Sequence, residues 1–592
     1  MEFDKARRAT RRGLAYANKE RDARMNASAI DRRSFVSGAV LAGVATVAAS
    51  ALPAHADEAS ALAADYAKPS FLDAPEPIAD DQIVETLECD VVVCGLGIAG
   101  VAAARAAAEA GLTVIALEKC SIPSYRSSQY SCFNTDNARA MGIADVDTCE
   151  LVNELMVQTG HRADARVLKN WADHCGEAFD WWAGACEELL WQYPDGEKYD
   201  RETQTFVSNG NTYEPYEYPR DHEHIICGTL SFRSPNKAAG QGPIVDANWA
   251  KAQEAGAEGI FDTPARQLVK DGDKVVGVIA QHLADETYVK VLANKGVILA
   301  TGGYVRNDEM LAYYIPWVYQ NKEKFTFTYP HMDMNGEYSD QGDGQKMGYW
   351  AGGNIEAGPH CAMCHGDLGK LGVDAFLQLN ANGERYINED LTNDHFGTAI
   401  IRQPGALIYQ IFDANFPEQV PFMQGGLGSK RSVSQEEIDS VDEWTTAKGD
   451  TIDELIANLG VDEKVAATMK AEIERYNELC EKGKDEDFGK DASRMFALVT
   501  PPFYAIRYAV GEPTEDAKSQ NALRCLVTMS GLSTNKNAQV LAQGTLQPIE
   551  GLYAIGNTQG GRFLGDYPAT IAGASHSMAM TYGYLTGKLL AE

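Results

Sequence analysis

Short apolar runs and one periodic stripe dominate the hydrophobic pattern of the chain. Residues 90–94 and 113–117 are apolar runs of the length expected for parallel strands buried on both faces, and the Ala-rich stretch 98–110 between them predicts a helix. Residues 275–280 and 295–300 predict further strands, the first beside a polar turn as in a β-meander. The pattern therefore predicts a strand–helix–strand unit followed by more strands.

A second pattern, nearer the C-terminus, has helical spacing. Val465, Met469, Ile473, Tyr476 and Cys480 recur at intervals of three and four, which predicts an amphipathic helix. Such a stripe is typical of packing on a core, so we assign no chemistry to it.

The first strand–helix–strand unit carries a glycine motif at its turn. Gly95, Gly97 and Gly100 form GxGxxG, in which the glycines permit the tight turn, the approach of a pyrophosphate and close helix–strand packing. The positive N-terminal end of the helix would face that pyrophosphate. Glu118 follows the second strand, where a carboxylate can accept the ribose hydroxyls. The unit predicts dinucleotide binding; the alternative is a glycine-rich turn without a ligand.

Length and charge restrict the class of protein further. The 592 residues are enough for two or three domains with large cores. The net charge of −32 argues against nucleic acid or an anionic membrane surface as a partner. Residues 1–56 carry ten basic and five acidic side chains, so the acidity lies in the remainder of the chain.

The basic N-terminal segment has the features of an export signal. Arg32 and Arg33 precede a weakly apolar stretch at 36–52, and Ala54-His55-Ala56 supplies an A-x-A cleavage site. These features are similar to a twin-arginine signal, read by the twin-arginine export machinery. We expect a mature protein that is exported folded to the periplasm or the outer face of the cytoplasmic membrane; a disordered basic tail is the alternative.

The 12 cysteines are scattered from Cys89 to Cys525, and we expect most of them to be small buried apolar residues. Cys361, Cys364 and His365 spell C-x-x-C-H, the attachment pattern of haem c. Because the motif lies inside the predicted core, packing or substrate contact is the favoured interpretation, with haem and a metal or iron–sulfur ligand as alternatives. We predict no metal site.

Four further motifs follow the glycine motif in order: Ala-Thr-Gly-Gly at 300–303, Gly-Asp-Gly at 342–344, Asn-Ala-Asn-Gly-Glu-Arg-Tyr-Ile-Asn-Glu at 380–389 and Gly-Leu-Tyr-Ala-Ile-Gly-Asn at 551–557. Together with 474–477 and 501–505, this series resembles the flavoprotein family of soluble fumarate reductases, urocanate reductase and 3-ketosteroid dehydrogenases. The resemblance covers residues 86–592 and implies FAD as the cofactor.

The resemblance also implies the architecture. It predicts an α/β protein with a discontinuous Rossmann-like FAD-binding domain at 86–358 and 528–592 and an inserted α+β capping domain at 359–527, after a signal peptide at 1–56 and a linker at 57–85. A helix from Ala572 onward would point its N-terminus at the flavin. The cofactor-binding residues implied are Gly95, Gly97, Ala99, Gly100, Glu118, Lys119, Ala300, Thr301, Gly302, Gly303, Asp343, Gly556, Asn557 and Gly573.

The substrate site departs from the fumarate reductase pattern. Asn393 stands where those enzymes have the proton-donating arginine, and Val527, just before Thr528, stands where a carboxylate-binding histidine is expected. We predict that these three residues contact substrate. His365 and Arg562 lie close to two other substrate contacts of the family. Since a dicarboxylate in a dry pocket needs charged hydrogen bonds, fumarate is not the expected substrate.

The stretch Gly565-Asp566-Tyr567-Pro568 is similar to ketosteroid dehydrogenases, in which a tyrosine before proline binds the substrate carbonyl. Packing under the flavin is the alternative role for Tyr567. The candidate catalytic acids are Tyr567, Arg562, His395 and His365.

The resulting hypothesis is an exported FAD-dependent reductase of a small organic substrate with an activated C=C bond, an enoate or an enone. It would be a terminal reductase of anaerobic respiration that takes electrons from an external cytochrome or membrane quinol dehydrogenase. The alternatives are a ketosteroid-type dehydrogenase acting in the oxidising direction and a flavin electron carrier without its own substrate.

Overall fold

The glycine motif follows the central strand of a twisted, mainly parallel sheet. The computed structural model describes residues 68–126, 129–140, 142–186, 199–200, 205–206, 213–218, 221–231, 241–327, 331–366, 371, 375–390, 393–423, 433–511, 519–520, 523–568, 571 and 573–592. The predicted signal peptide and most of the predicted linker lie outside these residues. Residues 69–592 form one compact unit.

The strands of the described residues are, in chain order, β1 (Ile83–Cys94), β2 (Val114–Leu117), β3 (Gln129–Ser131), β4 (Tyr199–Asp200), β5 (Thr205–Phe206), β6 (Tyr213–Tyr218), β7 (Asp221–Ser231), β8 (Glu258–Ile260), β9 (Ala265–Asp271), β10 (Lys274–Gln281), β11 (Tyr288–Leu299), β12 (Phe325–Phe327), β13 (Ala362–Gly366), β14 (Leu377–Asn380), β15 (Leu407–Asp413), β16 (Ala447–Gly449), β17 (Phe503–Ala509), β18 (Ser519–Gln520), β19 (Leu523–Thr528), β20 (Gln539–Leu541) and β21 (Pro548–Ala554).

The α-helices of the same residues are α1 (Ile98–Glu109), α2 (Asp136–Ala140), α3 (Thr148–Gln158), α4 (Ala165–Ala183), α5 (Gly242–Glu254), α6 (Asp308–Tyr314), α7 (Pro316–Gln320), α8 (Asp343–Trp350), α9 (Asn393–Ile401), α10 (Phe416–Gln419), α11 (Gln435–Asp439), α12 (Val441–Trp444), α13 (Ile452–Leu459), α14 (Glu463–Lys482) and α15 (Ala574–Leu589). None of these helices is long and apolar enough to cross a membrane.

The main sheet joins strands from both ends of the unit. Its order is β20-β21-β11-β1-β2-β8, with β10 and β9 added through β11. The pairs of β1 with β2, β1 with β11 and β11 with β21 are parallel. Because β21 follows the inserted residues and still pairs with β11, this domain is discontinuous, and the predicted Rossmann-like fold class with an inserted domain is confirmed.

The Ala-rich sequence of α1 is explained by a very close helix contact. A Cβ on Gly583 of α15 would lie 2.4 Å from the carbonyl oxygen of Ala99, and one on Gly587 would lie 2.6 Å from that of Ala103. Small residues on both helices therefore let the two backbones approach, so that α15 packs closely against α1.

The local predictions agree with the observed elements. The run at 90–94 is the C-terminal part of β1, which begins earlier than expected, at Ile83. The runs at 275–280 and 295–300 fall in the antiparallel pair β10 and β11. Among the described cysteines most are buried, as expected, with Cys149 exposed.

A second sheet, β14-β15-β17-β16 with β18 beside β17, forms the centre of the inserted region. The predicted stripe lies on α14, where Met469, Ile473 and Tyr476 are buried in a core with the strands. The stripe prediction is confirmed for these side chains, while Cys480 is only partly buried.

The motif at 380–389 contributes to a buried ionic cluster of this region. Arg385 donates two hydrogen bonds to Glu389, at 2.8 and 2.9 Å, and two to Asp485, at 3.0 and 2.8 Å. The Nζ of Lys490 lies 3.3 Å from Glu389. All four side chains are buried, so this part of the motif stabilises the inserted domain.

The small sheet β12-β19-β13 connects residues from both sides of the predicted domain limits at 358/359 and 527/528. Those limits stay predictions.

Candidate active site

An elongated cavity opens where the parallel strands of the main sheet end. Gly95 follows β1, Glu118 follows β2, Ala300 follows β11 and Gly556 follows β21, and all four line the cavity. Its volume is about 1470 Å³, a figure that includes open solvent at its mouth. Ligands of open α/β sheets bind at this edge.

Each glycine of the motif meets a different steric requirement. Gly95 has φ +99°, and a Cβ there would lie 2.6 Å from the carbonyl oxygen of Ala300. A Cβ on Gly100 would lie 1.8 Å from the carbonyl oxygen of Gly95, so only glycine lets α1 pack here. At Gly97 the nearest atom to a Cβ would be Ser124 Oγ, at 3.6 Å. A side chain on Gly97 would therefore project into the cavity, as expected where a pyrophosphate approaches the backbone.

Glu118 lies at one end of the cavity. Its carboxylate accepts hydrogen bonds from the backbone N–H of Leu96 at 2.6 Å and of Cys120 at 2.9 Å, and burial raises its pKa above the ordinary range. The side chain thereby holds the glycine turn in place and still lines the cavity, where the predicted ribose contact would form.

Lys119 and Asp343 lie next to Glu118. Lys119 Nζ donates to the carbonyl oxygen of Tyr338 at 3.2 Å and lies 4.0 Å from Asp343 Oδ2. Burial alone would raise the pKa of Asp343, but the cations of Lys346 and Lys119 outweigh it and lower that pKa. This end of the cavity is therefore polar and carries both signs of charge.

The other end of the cavity is built around the N-terminus of α15. Gly573, with φ +84°, caps the helix, and a Cβ there would lie 2.5 Å from the carbonyl carbon of Gln129. Ser575 follows in the first turn and donates its backbone N–H to the Tyr567 hydroxyl oxygen at 3.4 Å. Among the described residues the helix begins at Ala574; residue 572, the predicted start, lies outside them.

Twelve of the fourteen predicted cofactor residues line this cavity: Gly95, Gly97, Ala99, Glu118, Lys119, Ala300, Thr301, Gly302, Asp343, Gly556, Asn557 and Gly573. Gly100 and Gly303 do not line the cavity but permit close packing behind its wall. A Cβ on Gly303 would lie 2.5 Å from Thr528 Oγ1, so Gly303 permits close packing against β19.

Met363 of β13 and Leu526 and Val527 of β19 form an apolar part of the wall, together with Tyr567. Thr528 is fully buried behind it and accepts the backbone N–H of Tyr304 at 2.8 Å. Of the predicted substrate contacts, Val527 thus faces the cavity, and Thr528 supports the wall. Asn393 begins α9, and its side chain lies outside the described residues.

The four candidate acids occupy different places. Tyr567 lines the cavity and is nearly fully buried. Arg562 is completely buried behind the wall, where it bonds Asn557. His395, on α9, pairs with Asp566 at 3.0 Å, and both side chains are exposed. His365 lies on β13 opposite Arg524, and its side chain is outside the described residues.

Several cavity residues were not anticipated from the sequence. Arg126 forms an ion pair with Asp340, and Tyr125 and His576 line the wall beside them. The Nδ1 of His576 donates to the carbonyl oxygen of Gln129 at 2.8 Å, and burial lowers its pKa, which favours the neutral ring. None of these residues lies in a motif, although Asp340 precedes Gly-Asp-Gly by two positions.

The C-x-x-C-H cysteines are packed inside the protein. Cys361 is fully buried and Cys364 nearly so, and the backbone N–H of Cys361 donates to Ser530 Oγ at 3.0 Å. Within the described residues no group of three or more His, Cys, Asp and Glu side chains is arranged to hold a metal ion.

The cavity lies where the parallel strands end, and the glycine turn and Glu118 line it. This arrangement is typical of a dinucleotide-binding site. The family model of the FAD binding domain FAD_binding_2 matches residues 90–570, and the chain belongs to that family. FAD is its cofactor, which the open position at Gly97 fits.

The relatives place the chain among oxidoreductases. It is 27% identical over 546 residues to a vinyl phenol reductase of Lactiplantibacillus plantarum, covering 85% of this chain and 96% of that one. It is 29% identical over 494 residues to the urocanate reductase of Eggerthella lenta, covering 80% and 70%.

Among solved structures, the fold matches a 3-ketosteroid-Δ4-(5α)-dehydrogenase of Rhodococcus jostii RHA1 with a TM-score of 0.63 and 22% identity, over 87% of this chain and 99% of that one. The resemblance inferred from the motifs is thereby confirmed. The protein is an FAD-dependent oxidoreductase of a family that acts on carbon–carbon double bonds.

Proposed function

We propose that the protein is an exported FAD-dependent reductase of a C=C bond conjugated to a carbonyl or carboxyl group, an enoate or an enone other than fumarate. It would act as a respiratory terminal reductase with an external electron donor, a cytochrome or a membrane quinol dehydrogenase. The names of the vinyl phenol and urocanate reductases support reduction of an alkene. The twin arginines at 32 and 33 support export.

The observation that carries the proposal is the position of Tyr567 between the apolar wall and the N-terminus of α15. It lines the cavity together with Met363, Leu526 and Val527, which suit a planar apolar substrate, and its hydroxyl accepts the N–H of Ser575 in the first turn of α15. A substrate oxygen placed against that hydroxyl would be polarised, and the conjugated alkene would become electrophilic at its β-carbon.

The chemical step needs one hydride and one proton for each C=C bond that is reduced. When bound and reduced, FAD would supply the hydride to the β-carbon and would itself be oxidised by two electrons. The α-carbon or the enolate oxygen takes the proton, for which Tyr567 is the acid we favour because it lines the cavity.

Two features strengthen Tyr567 as a donor. The N–H of Ser575 donates into its oxygen, and the positive end of α15 lies beside it. Both stabilise negative charge on the phenolic oxygen, which makes the hydroxyl a better hydrogen-bond donor and acid. A solvent proton would then restore the hydroxyl after each turnover.

The same residue favours a second candidate function. A tyrosine before proline is also the carbonyl-binding residue of ketosteroid dehydrogenases, which the sequence at 565–568 resembles. In that case the enzyme would oxidise a saturated ketone, with the hydride moving in the opposite direction. A flavin electron carrier is the third possibility, which the buried, apolar wall around Tyr567 does not favour.

The test is anaerobic and uses the FAD-loaded protein. Reduced methyl viologen is mixed with fumarate, urocanate, cinnamates, stilbenes or enone steroids, and dye oxidation is followed beside the saturated analogue of each compound. We expect oxidation with an enoate or enone and little with fumarate. If no alkene causes dye oxidation while the flavin is still reducible, the proposal is contradicted. Saturated ketones with an oxidising dye then test the dehydrogenase direction.

Export is tested separately. The full chain and an Arg32→Lys, Arg33→Lys variant are expressed, and periplasmic and cytoplasmic fractions are compared. We expect folded, flavin-containing protein outside the cytoplasm only when both arginines are present.

A further inference from the structure

Arg562 is a fully buried arginine whose guanidinium lies directly behind the cavity wall. Its Nη2 donates to Asn557 Oδ1 at 2.9 Å and, more weakly, to the carbonyl oxygen of Met529 at 3.4 Å. Its Nε donates to the carbonyl oxygen of Gln559 at 3.3 Å. Asn557 lines the cavity, so Arg562 is connected to the cavity through that side chain.

The hydrogen bonds of Asn557 fix the direction in which its carboxamide faces. Its Oδ1 accepts from Arg562 and also from Ser575 Oγ, at 3.2 Å. A guanidinium can only donate, so the atom facing Arg562 is the carbonyl oxygen and not the amide nitrogen. The NH₂ group of Asn557 is therefore turned away from Arg562, and the residue lines the cavity.

The positive charge of Arg562 is partly opposed by a neighbouring carboxylate. Its Nη1 has no hydrogen-bond partner among the described residues. Glu356 is the acid that acts on it, but that carboxylate is bound by the backbone N–H groups of Gly531 and Gly561. Burial lowers the pKa of Arg562 to about 10, so it stays cationic at neutral pH, and burial raises the pKa of Glu356 to about 7.

This charge lies at the end of the cavity where α15 begins. Asn557, Ser575 and Tyr567 line the cavity there, and hydrogen bonds of Ser575 connect the three residues. The N-terminus of α15 contributes a positive partial charge to the same place. The guanidinium charge and the positive helix end therefore lie beside the same three residues of the cavity wall.

We propose that Arg562 is a positioning residue for the cofactor, which aims the amide donor of Asn557 at the flavin and stabilises its reduced form through a buried positive charge. The role differs from a substrate anchor, because Arg562 reaches the cavity only through Asn557. The inference rests on FAD binding and not on which alkene is reduced, so it stands or falls independently of the proposed substrate class.

The role has a thermodynamic consequence. A charge that binds reduced flavin more tightly than oxidised flavin raises the midpoint potential of the bound cofactor. A flavin with a higher midpoint potential accepts electrons more readily from the external donor. The midpoint potential also decides whether the enzyme reduces an alkene or oxidises a saturated ketone, and the local sequence does not determine it.

The test compares Arg562→Met and Arg562→Lys with the unaltered enzyme. The midpoint potential of bound FAD is measured spectroelectrochemically, and the Kd of oxidised FAD is measured by titration of the apoprotein. For Arg562→Met we expect oxidised FAD to bind about three- to tenfold more weakly, as for one lost hydrogen bond. Reduced FAD should lose about tenfold more, which lowers the potential of the two-electron couple by about 30 mV.

Arg562→Lys keeps the positive charge and loses the planar set of guanidinium N–H donors. The midpoint potential of its bound FAD should therefore lie nearer that of the unaltered enzyme, while FAD still binds more weakly. Arg105→Met is the matched control. Arg105 is also buried and also donates to an asparagine oxygen, Asn248 Oδ1, but neither residue lines the cavity. Its loss should lower stability and leave the potential of FAD unchanged.

If Arg562→Met does not fold, Ser575→Ala carries the test, because it removes the other donor to Asn557 Oδ1 with a small change in volume. We expect weaker FAD binding in that variant. The proposal is overturned if Arg562→Met folds and shows an unaltered potential, or if Ser575→Ala and Arg562→Lys both match the unaltered enzyme in FAD affinity and potential.

Discussion

Replacing Tyr567 by phenylalanine removes one hydroxyl from the cavity and leaves the ring in place. The ring packs edge to face on Phe563, with centroids 5.1 Å apart, and that contact does not involve the hydroxyl. If the hydroxyl polarises the substrate oxygen, its loss removes one donor to a developing negative charge, which lowers the rate of the chemical step about 10²- to 10³-fold, or about 2.7–4 kcal/mol.

The structure predicts a much smaller effect on stability. One hydrogen bond lost within the protein is that from Ser575 N–H, and at 3.4 Å it is a long one. The free energy of unfolding should therefore fall by about 1 kcal/mol or less. FAD content should be unchanged, because the variant keeps the shape of the wall.

The assay separates these effects. Prereduced enzyme is mixed anaerobically with the alkene found active in the dye assay, and the return of oxidised flavin absorbance is followed by stopped flow. Tyr582→Phe is the control, since its buried hydroxyl donates to the carbonyl oxygen of Val167 at 3.0 Å and does not line the cavity. A Tyr567→Phe rate within about threefold of the unaltered enzyme would show that Tyr567 only packs beneath the cofactor.

Three further predictions follow from particular contacts. Gly97→Val should fold but contain little FAD, because its side chain would occupy the cavity; flavin absorbance per protein measures this, and full occupancy would contradict the assigned pyrophosphate position. Arg385→Met leaves Glu389 and Asp485 buried without their partner and should lower the free energy of unfolding of the inserted domain by about 3–5 kcal/mol, measured by urea denaturation. Burial raises the pKa of Glu356 from 4.5 to about 7, so the native state binds more protons than the unfolded state between these values, and stability should fall as pH rises from about 5 to 7. Glu356→Gln should flatten that part of the stability curve, and an unchanged slope would assign it to other groups.

Local sequence determined the nucleotide-binding turn and the elements around it. The glycines at 95 and 100 have steric requirements set by their immediate backbone neighbours, and short-range patterns of this kind are legible in a sequence. The stripe on α14 is similarly local, because residues three and four apart share one helix face. The ordered motifs then indicated the family and its cofactor, and the comparisons confirmed both.

The tertiary structure alone decided how distant residues meet. The partners of Arg385 include Asp485, one hundred residues away, and Arg126 meets Asp340 across more than two hundred. The sequence made Arg562 a candidate acid, whereas the structure buries it and bonds it to Asn557. The sequence thus determined which backbone segments can approach a dinucleotide, because that depends on neighbouring residues. Which side chains face the flavin and which support those side chains depends on long-range packing, and no local pattern encodes it.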